Sequence, residues 1–474
     1  MAIRIGSAAT RRRFLATSGA ATALTAIGGI ARPFISRAND RPLITHGLQS
    51  GDVSIDSGVI WARADRPSRM LVEIATTDSF KDTRNAAFVD ALPESDFTAK
   101  LLVENLPAAQ EIFYRVRFQD LASPTIVGEA QVGRFRTAPT DRRSISFVWS
   151  DDTAGQGWGI DESRGGMRTY VTMLKNRPDY FIHNGDNIYA DGPIAAEQKM
   201  PNGQVWRNVV TEDKSKSAET LAEFRGNYKY NLLDKNLRAF NAEVPILTQW
   251  DDHEVTNNWW PGEPLTRAEH QRKKYIEKNA SLLAARAARA FHEYMPLRST
   301  QAEPGWVYRK ISYGPLLDIF MLDMRSYRGP NGEGKEDSYG YFLGPTQIAW
   351  LKQELANSRA TWKVIAADMP IGLLVVYDAD RKWAWKPWRK AMTARRAGAS
   401  LKSPTCFRSS SARAYATPSG SPRMCTTPLP TATTPTRQHF RISSRSGNSS
   451  QVRFMPVPSA PIRSTRPSVH SLST

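Results

Sequence analysis

Phe181-Ile182-His183-Asn184-Gly185-Asp186-Asn187-Ile188-Tyr189 reads as a short apolar run that delivers a carboxylate and a phenol at its end. Two other runs have the same form. Phe147-Val148-Trp149-Ser150 leads into Asp151 and Asp152, and Ile246-Leu247-Thr248-Gln249-Trp250 leads into Asp251-Asp252-His253-Glu254. Short apolar runs that stop at polar clusters suit strands buried on both faces, as in a parallel sheet packed between other layers. In such a sheet polar groups collect at the carboxyl ends of the strands, so the three runs would bring oxygen and nitrogen donors to one edge.

The same pattern extends outward. Strands are expected over residues 144–149, 180–183, 245–249, 316–321 and 362–366. Thr266-Arg267-Ala268-Glu269 has the form of a capping box ahead of one long helix. That helix would carry Leu283, Ala287, Ala290, Phe291 and Tyr294 on an apolar stripe and end at Pro296. Pro345-Thr346 opens another, with Trp350, Leu351 and Leu355 on one face. Strands alternating with helices over residues 144–385 define a layered α/β domain. Before it, over residues 39–139, short alternating runs such as Met70-Leu71-Val72-Glu73-Ile74 and Ile112-Phe113-Tyr114-Arg115-Val116 carry a β-sandwich signature. Nothing in that module has catalytic spacing, and packing or substrate shaping is its expected role.

Residues 1–38 read as an address. Thr10-Arg11-Arg12-Arg13-Phe14-Leu15 precedes a weakly apolar stretch from Ala16 to Ile30, with Ser36-Arg37-Ala38 as a cleavage site. The stretch falls short of the roughly 20 apolar residues that span a bilayer, so export through the twin-arginine translocase to the periplasm or outside the cell is expected.

The net charge of +18 is not spread through the chain: residues 386–474 hold fifteen Lys/Arg and no Asp or Glu. A basic total arising this way is a property of one segment and argues against the body as a nucleic-acid binder. Both cysteines, Cys406 and Cys425, lie in that tail, so no disulfide holds the body together. Its Ser, Thr, Pro and Arg content reads as solvated and disordered. A sharper reading comes from back-translation. One base upstream, starting with the last base of Trp385, the codons can spell Glu-Ala-Val-Ala, and Met392-Thr393 forces an Asp codon. Around residues 423–431 that frame permits Asp-Val-His-Tyr-Thr-Ala-Ala-His, so a frameshift is expected to have replaced the last strands of the sheet. Taken literally, the tail would instead tether the protein to an anionic surface or to nucleic acid.

Singly, the motif residues have plain structural readings. A Gly-Asp after a strand is a common turn, Asp251 and Glu254 suit supporting positions, and His183 suits a satisfied buried histidine. Their ordered combination does not. Gly185-Asp186-Asn187-Ile188-Tyr189 followed by Trp250-Asp251-Asp252-His253-Glu254 resembles the paired signature of the alkaline phosphatase D family. Leu322-Asp323-Met324-Arg325-Ser326-Tyr327-Arg328 and Asp368-Met369-Pro370 resemble further landmarks of it. The resemblance runs from about His46 to about Asp378. It implies a calcineurin-like catalytic domain behind a β-sandwich, and hydrolysis of small phosphomonoesters and phosphodiesters, or of envelope polymers, by a two-metal site. It assigns Asp152 to the first metal, Asp186 to both, Tyr189 as a phenolate to the first and Asp252 to the second, with His253 as general acid. Arg325 could bind an anion, but a structural ion pair is the expected role. Fe3+ and Ca2+ are the implied ions. Some members carry Cys where Asp152 stands, and a hard carboxylate there equally suits calcium, magnesium or manganese. The implied sheet needs later strands ending in His, and the only histidines after His292 are His439 and His470. The literal chain is therefore expected to be impaired. A non-catalytic envelope protein, with a polymer-binding β module on a degenerate scaffold, is the competing class.

Overall fold

The computed structural model describes residues 40–299, 305–331 and 342–369, together with the backbone of three short strands further along. Its elements all belong to the unit from Pro42 onward. Residues 1–38, read as an export signal, and nearly all of the tail, including Cys406, Cys425, His439 and His470, lie outside the described residues.

The strands of the N-terminal module are β1 (Ile44–Gly51), β2 (Gly58–Ala64), β3 (Ser68–Ala75), β4 (Arg84–Asn85), β5 (Val89–Ala91), β6 (Thr98–Val103), β7 (Glu111–Asp120) and β8 (Gln131–Arg136). They form two facing sheets. Strand β7 alternates strictly, burying Ile112, Tyr114, Val116 and Phe118. With Met70, Val72 and Ile74 of β3 these meet Leu48, Ile60, Ala62, Ala99 and Leu101 of the opposite sheet in one apolar core. The expected sandwich is present, and alternation with period two is its physical cause.

The second half begins with β9 (Phe147–Ser150), α1 (Arg168–Leu174) and β10 (Tyr180–His183). A small hairpin follows, β11 (Glu197–Lys199) with β12 (Val205–Arg207), then α2 (Leu221–Asn231), α3 (Lys235–Glu243) and β13 (Ile246–Thr248). Next come α4 (Ala268–Arg272), α5 (Ala280–Tyr294), β14 (Arg309–Ser312), β15 (Leu317–Met321), α6 (Pro345–Asn357) and β16 (Trp362–Ala366). Strands β13, β10 and β9 are mutually parallel, and β1 joins them by pairing parallel to β13 at Gly51 and Ile246. The module and the α/β body thus share one six-stranded sheet, in the order β6-β2-β1-β13-β10-β9.

Each strand of the body divides its side chains between two cores. Phe147, Tyr180, Ile182 and Leu247 face Leu317, Ile319, Met321, Val364 and Ala366 of the second sheet. Val148, Phe181 and Ile246 face α1, α2, α3 and α5. On the far side Phe320 and Ile365 pack under Leu351 of α6. The result is helix, sheet, sheet, helix, and it explains why these strands lack alternation: both faces are covered.

One expectation is corrected. Thr266 caps no long helix. The chain forms the short α4, turns at Lys274 in left-handed backbone (φ 57°), and restarts at α5 with Asn279 as the N-cap. The break has a cause, since the buried Glu219 carboxylate accepts the backbone N–H of both Ile276 and Glu277 at 2.7 Å. In the tail, which otherwise lies outside the described residues, one short strand is described. This strand, Arg453–Pro456, pairs antiparallel to β16. Open ladder groups on an edge strand attract a β-forming segment.

Candidate metal centre

Because β9, β10 and β13 are parallel, their carboxyl ends open onto one edge. Loops there are laced together by backbone hydrogen bonds. Thr153 N–H donates to Asp186 O at 2.9 Å, Ala190 N–H to His253 O at 2.8 Å, and Asn184 N–H to Ser150 O at 2.9 Å. Asp186 and Asp152 both adopt left-handed backbone (φ 52° and 61°), as do Ala154 and Gln156. Each such residue costs of order 1 kcal/mol, and all four lie in the loops at the strand tips. Gly185 is required by contact, because a Cβ there would lie 2.5 Å from Asp251 Cβ.

Asp186, Asp252 and His253 each place one ligand atom within 4.8 Å of the others. Tyr189 joins them by stacking on the His253 ring, with centroids 4.2 Å apart, and its hydroxyl donates to Asp152 Oδ1. All five residues expected at the site therefore meet, Asp152 through Tyr189. Gly155 abuts the same ring: a Cβ on it would fall 2.4 Å from Tyr189 Cε2, so only a bare backbone fits there.

The site holds more negative charge than its cations offset. Burial, followed by the carboxylates of Asp251, Asp252, Glu254 and Asp152, holds Asp186 well above the usual carboxylate range. The Tyr189 phenol is pushed up by burial and by Asp186 and Asp152. Burial also raises Asp252, but the Arg325 guanidinium and the His253 ring outweigh it and bring that group down. Oxygen donors crowded against one another in a buried pocket are the arrangement a bound cation relieves.

The supporting residues have defined tasks. Glu254 accepts the backbone N–H of Asp186 (3.2 Å), Asn187 (2.5 Å) and Asp251 (2.8 Å), tying the two signature loops together. Arg325 pairs with Asp251 and, at 3.2 Å, with Asp368; it also approaches Asp252 at 3.5 Å. His183 is buried, with Nε2 2.9 Å from Thr153 Oγ1, and burial lowers it to about 3. Asp191 is the group that motif reading misses. Wholly buried, it contacts His253 Nδ1 at 2.7 Å, accepts from Asn257 N–H at 2.6 Å, and pairs with Lys273. Burial alone would lower His253, but the Asp191 and Asp252 carboxylates raise it to about 9. Asp191 lies two residues past the Tyr189 that ends the quoted motif, within the same polar run, and that continuation is the only signal of it.

A two-sheet sandwich flanked by helices, with carboxylates and an imidazole at the strand tips, defines the class. A profile described as PhoD-like phosphatase matches residues 147–403, and one described as PhoD-like phosphatase, N-terminal domain, matches residues 29–139. The chain belongs to the PhoD-like phosphatase family. It is 27% identical over 350 residues to alkaline phosphatase D of Bacillus subtilis (strain 168), an alignment that takes in 68% of this chain and 55% of that protein. The chain thus spans about half the length of that curated relative. A solved structure titled "Structure of PhoD" matches with a TM-score of 0.57 at 22% identity, covering 77% of this chain and 70% of that one, which is a likeness of fold.

Proposed function

We propose that the protein is an exported, metal-dependent phosphoesterase that hydrolyses phosphomonoesters and phosphodiesters at alkaline pH through a pair of metal ions. The observation that carries this reading is the meeting of Asp152, Asp186, Tyr189, Asp252 and His253 at one sheet edge. The donor set fits hard cations: three carboxylates and a phenol supply oxygen, and their mutual repulsion favours neutralisation by a cation. Asp152 and Tyr189 would hold one ion, Fe3+ by resemblance, Asp252 the other, Ca2+ by resemblance, and Asp186 both. Bound there, two metals supply positive charge to a phosphate and acidify water.

The protein's own part is orientation and proton delivery. Asp191 fixes the His253 ring through Nδ1, so Nε2 is left to meet a phosphate oxygen and to hand its proton to the departing alkoxide. Family membership, the twin-arginine motif and the β module's lack of catalytic spacing support an envelope enzyme acting on small esters or envelope polymers in the periplasm or outside the cell.

The frameshift belongs to the same proposal. With the last strands and their imidazoles replaced, a partial ligand set holds metal weakly, and turnover by the literal chain is low. The test compares the literal protein with a one-base-repaired form on a chromogenic phosphodiester, before and after chelation. Metal-dependent turnover by the repaired form, lost on chelation, is the expected result. Chelator-insensitive turnover overturns the metal reading, and equal turnover by both forms overturns the frameshift.

A further inference from the structure

Resting on the phosphoesterase reading, we infer that Trp158 and Trp206 form a platform for an aromatic leaving group beside the phosphate site. Both indoles are partly exposed and meet edge to face, with centroids 5.9 Å apart at 84°. Their position follows from the loop that begins at Asp152. Gly155 lies against the Tyr189 ring, and the turn from Gly155 to Trp158 is closed by Trp158 N–H donating to Gly155 O at 3.0 Å. A turn of this kind keeps its first and fourth Cα atoms within about 7 Å, so Trp158 stands one turn from the phenol at the metal centre.

The platform is built to be rigid. Asn208 clamps the loop from both sides, accepting Gly159 N–H at 2.7 Å and donating to Gly157 O at 2.9 Å. Trp206, in the hairpin β11–β12, donates its indole N–H to Gly159 O at 3.1 Å. The Arg164 guanidinium lies 5.6 Å from the Trp206 ring centroid and is itself anchored to Asp161. Both tryptophans keep exposed surface on a loop and hairpin joined to one that carries a site residue, and rigid, partly open indoles offer a stacking surface. The occupant is the ring of an ester whose phosphate sits at the strand tips, because the turn that ends at Trp158 starts at Gly155, which lies against Tyr189.

The experiment uses the one-base-repaired full chain in buffer containing iron and calcium and reads tryptophan fluorescence on titration with methylphosphonate, cyclohexylphosphonate and phenylphosphonate. The expected result is phenylphosphonate binding about 10-fold tighter than the other two, the scale of one aromatic stack. Trp158→Ala removes this preference and Trp158→Phe retains it, with methylphosphonate affinity unchanged in both. Equal affinity for methyl- and phenylphosphonate overturns the platform and leaves the phosphate site standing. Equal gains for phenyl and cyclohexyl overturn the aromatic class, and absence of binding by every phosphonate overturns the platform together with the phosphoesterase reading.

Discussion

Burial and four neighbouring carboxylates all disfavour charge on Asp186. Its replacement by Asn keeps an oxygen for the His253 N–H, which donates to Oδ1 at 3.1 Å, while removing the repulsion. Asp186→Asn is therefore expected to raise the melting temperature of metal-free protein, by the equivalent of about 1–2 kcal/mol, and to abolish any further rise on adding metal. Calorimetry with and without calcium or iron checks both signs; a melting temperature lowered in the absence of metal contradicts the crowding argument. Asp191 acts through the imidazole that it touches. Asp191→Asn should cut turnover of the repaired enzyme by about 100-fold or more, the usual share of a positioned acid, while titrations show metal affinity nearly intact. Gly155→Ala, which drives a methyl into the Tyr189 ring, should cost roughly 1–3 kcal/mol of stability and lower activity as well.

At the scale of elements, α5 ends in an instructive way. Its last turn leaves carbonyls without helical partners, and the N-terminal module supplies donors to three in succession. Lys100 donates to His292 O, Trp61 to Glu293 O at 2.7 Å and Gln49 to Tyr294 O at 3.1 Å. Lys100 also sets a cation against the negative end of the helix dipole. Lys100→Met should lower unfolding free energy by about 1–3 kcal/mol, readable as a shift in urea midpoint. None of this capping was legible beforehand, because it joins residues 192 to 245 positions apart. The strand tips were legible for the opposite reason: an apolar run and the carboxylate it delivers are neighbours in the chain. Helices α1 to α3 escaped notice because their apolar faces are diluted; α2, for example, buries Asn227 and Asn231 among its aromatics. The split of α4 from α5 was equally hidden, since Glu219, which causes it, lies two helices upstream.

For the whole molecule, the shared sheet means that body and module stand or fall together. Residues 140–369 expressed alone are expected to give an insoluble product, whereas a stable, soluble fragment by circular dichroism would contradict the shared-core view. Acid response is a second property of the whole. His46, next to the cluster of Arg63, Asp96 and Lys229 where the module meets the helices, is lowered by burial and then by Arg63 to about 4. A base lowered in the folded state contributes stability that is present above its unfolded pKa, near 6.5, and is lost as pH falls toward 4. The stability difference between the wild type and His46→Gln should thus shrink by roughly 2–3 kcal/mol between pH 7.5 and pH 4.5, measured by urea denaturation at each pH. The donors on α5 carry one more implication, for how such a chain can be recombined. A foreign β-sandwich grafted at the junction near residue 140 would bring its own surface but not Gln49, Trp61 and Lys100, nor a strand in register with Ile246. Chimeras in this family should succeed only when the crossover lies elsewhere or when those positions travel with the transplanted half.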